Sequence, residues 1–399
     1  MAPASSGAGN GFGVATSDAA ANSVVFQSGS TFYQGGEKDG TRNGGSGSNP
    51  FALTQPASIV VFNSGSTFVN WFALAPASVG RTYANLVWRG NGNASAGGNT
   101  AAWTITGNLS TLPSLDATQG NLTITQNTAA FTVGGNLVVG AGGGILNLAP
   151  AAAATYDVAG NVDIQDAALL TSNANLTLRL NGSGAQSMNL AGATLPNLTV
   201  NNASGVNLTG SAVVSGVLNL QSGEVATGAN TLTVADGAPA VVRTAGFVNG
   251  TLTRNIAAST GVRSFPVGTA GAYTPVDVEF TVASAGAGTL AVGCTATDHP
   301  GSNNAATSIN RYWSLTGAGL SGYTADATFN YLDSDLGGAN EADLLIGRST
   351  GGNNWEIFTP TPLDTVGNTA KAVGVTAFSD WTLGEDSAVP VSLSTFTID

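Results

Sequence analysis

Along much of the chain, apolar residues alternate with small polar ones over four or five positions and then give way to Gly, Asn or Ser. Asn108-Leu109-Ser110, Asn121-Leu122-Thr123-Ile124, Asn136-Leu137-Val138-Val139, Asn161-Val162-Asp163-Ile164, Asn175-Leu176-Thr177-Leu178 and Asn197-Leu198-Thr199-Val200 share this cadence. Val217-Leu218-Asn219-Leu220, Thr231-Leu232-Thr233-Val234 and Thr251-Leu252-Thr253 continue it. Alternation with period two marks a half-buried strand. Each run is too short to enclose a core alone. Stacked in register, each adds one or two Leu, Val or Ile to a continuous inner column, as in solenoids whose coils take roughly 20 to 45 residues. Two or more of these runs make one coil.

The Asn that opens so many runs has two physical readings, and both stand at this point. Asn tolerates turn dihedrals, and its amide can also bond to the local backbone or to the equivalent Asn one rung away.

Nearer the N-terminus the repeat is longer. Val24-Val25-Phe26-Gln27-Ser28-Gly29-Ser30-Thr31-Phe32 recurs 36 residues later as Val60 to Phe68, identical at every position except Gln27/Asn63. Each copy reads as a strand, a Ser-Gly turn and a second strand, with Gly29 and Gly65 free to take the positive φ that such turns use. Gln34 to Asn49, dense in Gly, Asn and Ser, reads as a loop. After Gly261 the texture changes again. Val276-Asp277-Val278-Glu279-Phe280, Ala327-Thr328-Phe329-Asn330-Tyr331 and Trp355-Glu356-Ile357-Phe358 alternate within a stretch richer in Pro and aromatics. That pattern over 262–387 fits a β-sandwich with Trp313, Trp355 and Trp381 as core anchors.

Composition narrows the class. The chain has 55 Gly in 399 residues and only 9% charged residues, against about 25% in ordinary domains. A 42% apolar share is nonetheless too high for a disordered polymer. Residues 1–150 carry no net charge, 151–260 carry −2 and 261–399 carry −10, so nearly all of the net −12 sits in the last third. With Lys38 and Lys371 the only lysines, no basic footprint for nucleic acid is expected. No apolar run is long enough to span a bilayer. The opening Met-Ala-Pro-Ala-Ser-Ser lacks a basic n-region with an apolar core, so an exported form would have had its leader removed. Aromatic residues are absent from Asp157 to Gly246, which predicts a slim aliphatic core there.

Val24 to Phe68, Gly80-Arg81-Thr82-Tyr83-Ala84-Asn85-Leu86 and the Asn-Leu-Thr-Val rungs resemble the β-helical stalks of large bacterial exoproteins exported by the type IX system. Phe265-Pro266-Val267-Gly268-Thr269, Ile309-Asn310-Arg311-Tyr312-Trp313 and Phe378-Ser379-Asp380-Trp381-Thr382-Leu383-Gly384 resemble the β-domain that follows such stalks. Val389-Pro390-Val391-Ser392-Leu393-Ser394-Thr395-Phe396 is similar to the lead-in to a cleaved sorting domain, which would lie beyond Asp399. The resemblance implies secretion to the cell surface. It also implies O-glycosylation at Asp-Ser/Thr-apolar sites, which Asp364-Thr365-Val366 and Asp386-Ser387-Ala388 match, making Thr365 and Ser387 the candidate attachment points.

Candidate chemistry is sparse. Asp333, Asp335, Glu341 and Asp343 form the densest acidic cluster and offer hard oxygen ligands for calcium, although Leu344 stands where a helical calcium loop would place its bidentate Glu. A solvated acidic hairpin is the simpler reading. Asp116, Asp157, Asp163, Asp166, Glu224 and Asp236 are the carboxylates of 104–260. Alternation puts Asp163 and Asp166 on opposite faces, so no glycosidase-type pair is expected. Cys294 and His299 mimic a thiol–imidazole pair, but a buried thiol and an exposed turn histidine are expected instead.

The sequence therefore predicts an all-β protein comprising a short N-terminal segment (1–11), a right-handed parallel β-helix (12–260), an acidic β-sandwich (261–387) and a tail (388–399). In this reading Phe12 helps the Gly-rich N-terminal segment to plug the first rung. The expected function is an extracellular structural or adhesive one, as a stalk or filament subunit, with no catalysis and no cofactor beyond possible calcium. Expected partners are further copies of the chain and a cell-surface glycan or matrix, with no nucleic acid and no membrane insertion. The rival is a carbohydrate-binding or carbohydrate-cleaving exoprotein.

Overall fold

A computed structural model describes residues 24–34, 60–70, 81–90, 92–97, 102–114, 119–126, 130–236 and 240–389. The expected N-terminal plug with Phe12, the carboxylate Asp116, most of the Gln34–Asn49 loop and the tail from Pro390 lie outside these residues. The protein is all-β with a parallel β-solenoid of about seven turns. The chain divides into two compact units, Met1–Asn219 and Leu220–Asp399.

In the first unit the sequence duplication is a coil period. Val24, Val25 and Phe26 pair in parallel with Val60, Val61 and Phe62, and Thr31–Gln34 pairs residue for residue with Thr67–Asn70. The rings of Phe26 and Phe62 stack at 4.8 Å with an 8° interplanar angle, so identical side chains sit one above the other. Gly29 and Gly65 turn the chain at φ +76° and +80°. From Leu86 onward the repeat shortens. Leu86, Leu109, Leu137, Val162 and Met188 follow one another up one face in parallel register, every one of them buried. A second face is built from Thr82–Tyr83, Trp103–Ile105, Phe131–Val133, Ala154–Val158, Leu176–Leu180 and Asn197–Asn201, and a third from Ala94–Ala96, Leu122–Ile124, Leu146–Leu148 and Leu170–Ser172.

The core narrows as the aromatic distribution predicts. Trp103, Phe131 and Tyr156 sit on successive coils as tilted rings with centroids 5.0 and 4.8 Å apart. The same column continues as Leu178 and Leu198. Aromatic volume is replaced by leucine at the point where aromatics vanish from the sequence. The Tyr156 hydroxyl donates to the carbonyls of Ile124 (3.2 Å) and Gln126 (2.8 Å), which satisfies a buried polar atom. Burial pushes this phenol well above its ordinary range.

At the corners, asparagines answer the question the sequence left open. Asn85 Oδ1 accepts from the backbone N–H of Asn108 (2.9 Å), Asn108 Oδ1 from Asn136 (2.8 Å), Asn136 Oδ1 from Asn161 (2.8 Å), and Asn161 Oδ1 from Ser187 (2.8 Å). At another corner Asn93 Oδ1 accepts from Asn121 and Asn121 Oδ1 from Ile145. The amide thus reaches the next coil's backbone, using an N–H that a turn would otherwise leave to water. The glycines just before these residues are required by the same contact. A Cβ on Gly135 would lie 2.5 Å from Asn108 Oδ1, and one on Gly160 would lie 2.3 Å from the carbonyl carbon of Gly135.

Within the second unit, parallel rungs continue through Glu224–Ala226, Phe247–Asn249 and Val267–Thr269. The strand Leu252–Ile256 lies parallel to Leu232–Val234 on one side and antiparallel to Gly288–Thr295 on the other. Beyond it the order is antiparallel: Ser308–Ala318, Asp380–Gly384, Leu345–Gly351 and Asn354–Phe358 complete one sheet, while Gly261–Phe265, Val276–Val282, Thr324–Asn330, Thr369–Val375 and Leu363–Asp364 form the other. Their inner faces meet through Trp313 and Phe329 (5.1 Å) and through Phe329 and Trp381 (5.3 Å). Trp313, Trp355 and Trp381 are all buried; Trp313 and Trp381 anchor the space between the sheets, whereas Trp355 packs on the opposite face against His299.

Candidate functional site

The four carboxylates read as calcium ligands sit on two short 3-10 turns, Asp333–Asp335 and Glu341–Asp343, and each faces a different partner. Asp333 accepts from Asn368 Nδ2 (2.7 Å), Glu341 from the Tyr331 hydroxyl (2.7 Å) and Asp343 from Asn340 Nδ2 (2.5 Å). Burial, reinforced by Glu341, raises the Tyr331 phenol. Asp335 turns inward to the Arg311 guanidinium, with Nε–Oδ2 at 2.6 Å and Nη2–Oδ1 at 2.8 Å, and also accepts from the Leu332 N–H. Among the described residues, no group of three or more His, Cys, Asp or Glu side chains is placed to hold a metal ion.

The other carboxylates have structural partners too. Asp157 forms a two-point pair with Arg179 across adjacent coils, at 2.5 and 2.8 Å. Asp163 accepts from Gln165 and Asn189, while Asp166 caps a short turn through the Ala168 N–H. Glu224 accepts from Asn249 Nδ2 and the Gly271 N–H. Asp236 holds Arg263, whose remaining donors go to Ser259, Thr260 and Gly261. Thr365 and Ser387 are both exposed. Thr365 lies in a turn held by Asp364 Oδ1, and the Ser387 hydroxyl bonds with Thr307 Oγ1 at 2.6 Å.

Cys294 and His299 face different partners, and their burial is the reverse of expectation. The Cys294 thiol is only half-buried, within 3.1 Å of Arg311 Nη1 and 3.3 Å of Thr274 Oγ1. Burial raises its pKa, against the lowering pull of Thr274 and Arg311. His299 is buried because its turn folds it edge-on to Tyr312 (5.1 Å) and Trp355 (4.9 Å). Its Nδ1 accepts from the Gly301 N–H at 2.9 Å, and Trp355 Nε1 donates to the Gly301 carbonyl. Its Nε2 lies 3.4 Å from Asp380 Oδ2.

This histidine borders a cleft of about 840 Å³, with Tyr312, Arg348, Asn353, Phe378 and Asp380 also in its lining. Tyr312 and Asp380 stand on one face of adjacent strands Ser308–Ala318 and Asp380–Gly384, while Arg348 of Leu345–Gly351 is paired with Trp381 on the other face. The turn at His299–Gly301 and the hairpin tip at Gly351–Asn353 border it. Arg348 is tied to Glu356 through Nε (2.7 Å) and Nη2. Sequence reasoning missed this cleft because its residues are scattered over 80 positions in no motif; they converge only through antiparallel pairing. Comparison with protein-family models, with curated proteins and with solved structures finds no match.

Proposed function

We propose that the protein is an extracellular structural or adhesive scaffold, a stalk or filament subunit that performs no catalysis. The observation that supports this reading is the fastening of successive coils. In-register apolar columns, asparagine ladders and the Asp157–Arg179 pair tie each coil to the next, and solenoid stability is a sum of such neighbour terms. Asp157, Asp163, Asp166, Glu224 and Asp236 serve such structural contacts too. The resemblance to type IX cargo adds the expectation of export and surface display, with Thr365 and Ser387 as glycan attachment points. The test is protease added to intact cells of the native host. Loss of the protein while a cytoplasmic marker survives is the expected result; full protection in intact cells with digestion only after lysis would overturn it.

A further inference from the structure

We propose that Lys371 and Asp326 condense to an isopeptide bond, with Glu279 as the group that takes the proton from the amine. The cross-link goes beyond the scaffold reading and does not rest on it, since any folded domain could carry such a bond.

Three neighbouring strands bring the groups together. Glu279 on Val276–Val282 lies opposite Asp326 on Thr324–Asn330. Lys371 on Thr369–Val375 lies opposite Thr328, two residues from Asp326 and therefore on the same face of the sheet. Lys371 Nζ is 2.9 Å from Asp326 Oδ2 and 3.6 Å from Glu279 Oε2. Between Ala325 and Ala327 the pairing of the last two strands slips, and there the Gly374 N–H donates to Asp326 Oδ1 at 3.1 Å. The Lys371 backbone is held on its other side too, its N–H donating to the Pro362 carbonyl and its own carbonyl accepting from Thr361. Asp326 is buried, at 9% exposure.

An ordinary surface ion pair holds two mobile, hydrated groups. This one differs in three ways: its carboxyl is buried, one carboxyl oxygen already receives a backbone donor, and a second carboxylate stands beside the amine. Hydrogen bonding to Asp326 raises the Lys371 ammonium, so the pair rests as ions and the amine is released only when a proton passes to Glu279. Nζ then attacks Asp326 Cγ, and the charge that develops on Oδ1 faces the Gly374 N–H. As the nitrogen–carbon bond is completed, the Cγ–Oδ2 bond breaks, and Oδ2 leaves as water with one proton from Glu279 and one from the nitrogen. An ammonium and a carboxylate thus become an amide and one water, and Glu279 ends as the carboxylate it began as. Nothing is oxidised or reduced and no co-reactant is consumed. Such a condensation is unfavourable between free molecules in water, but groups held in one fold react as if at concentrations of about 10⁵ M or more. The product ties Thr324–Asn330 covalently to Thr369–Val375.

The test is the intact mass of the denatured full-length protein after incubation at neutral pH, with parent and variants produced in the same way so that any terminal processing cancels. The parent should be lighter than its sequence by one water, and Lys371→Arg, which keeps the ion pair but forms no amide, should not. Peptide mapping should recover one joined peptide containing Asp326 and Lys371; Lys38 is the only other lysine in the chain. Glu279→Gln should form the bond more slowly by about a hundredfold or more. Thermal melts establish that Lys371→Arg and Glu279→Gln fold, and the mass of the parent decides the matter without either variant. A parent with its full sequence mass overturns the proposal, as does a water deficit that persists in Lys371→Arg or maps elsewhere in the chain. Glu279→Gln reacting as fast as the parent overturns the role given to Glu279. Surface display of the protein has no bearing on these outcomes, so this proposal and the scaffold reading fail separately.

Discussion

The backbone N–H of Asn136 donates to Asn108 Oδ1 at 2.8 Å, joining residues 28 apart in sequence but one coil apart in the solenoid. Because the bond is solvent-exposed, Asn108→Ala should cost only about 1 kcal/mol, the net worth of an ordinary hydrogen bond. Gly135→Ala should cost more, about 1–3 kcal/mol, because its Cβ would press on that same oxygen. Urea unfolding of the two variants decides the order; a glycine variant as stable as the parent would contradict the packing described.

The Arg311–Asp335 pair is buried on both sides, with side chains 2% and 7% exposed. Arg311→Met should destabilise by about 3–5 kcal/mol, since it strands a carboxylate. Combining it with Asp335→Leu should recover much of that loss. If the double variant shows the full sum of the two single losses, the charges are not coupled as the geometry requires.

Tyr156 gives an alkaline prediction. Its raised pKa means that the folded state holds the phenolic proton more tightly than the unfolded chain does. Its contribution is therefore complete below the unfolded value of about 10 and declines as pH rises above it. Urea midpoints measured across the alkaline range should fall for the parent and fall less steeply for Tyr156→Phe. The variant should start lower at neutral pH, having lost the donor to Ile124 and Gln126. Parallel curves would show that this phenol does not set the slope.

Calcium should leave the melting temperature unchanged, because Asp333, Asp335, Glu341 and Asp343 each serve a separate partner. Binding to the folded state alone would raise it, by about 2.7 kcal/mol of stability at a hundredfold excess over Kd. Scans with calcium and with chelator read this directly, and a clear upward shift would mean that these side chains regroup around the ion.

The fold was more legible than the site. Solenoid rungs announce themselves because burial selects residues such as Leu137 and Val139 at every second position, and the 36-residue duplication states its own register. The aromatic gap after Tyr156 likewise foretold the leucine column of Leu178 and Leu198. Polar partnerships were less legible. Asp335 looked like part of an acidic cluster because its partner Arg311 is 24 residues away, and pairing across a sheet leaves no local pattern. His299 looked like a turn residue, which it is, but its burial depends on Tyr312 and Trp355 from other strands. The ladder could be imagined from Asn and Gly, yet only the coil period decides which N–H each amide meets.

The strand Leu252–Ile256, parallel to one neighbour and antiparallel to the other, works as an adapter between two building systems. A solenoid normally needs a cap, because its last rung offers open backbone groups to any passing strand. Here those groups are taken up by Gly288–Thr295, so the edge is closed by continuing the sheet in the other direction. Within this sheet the change of pairing direction thus needs no linker, only one strand that satisfies both geometries. A chain cut just after Ile256 would expose an adhesive edge.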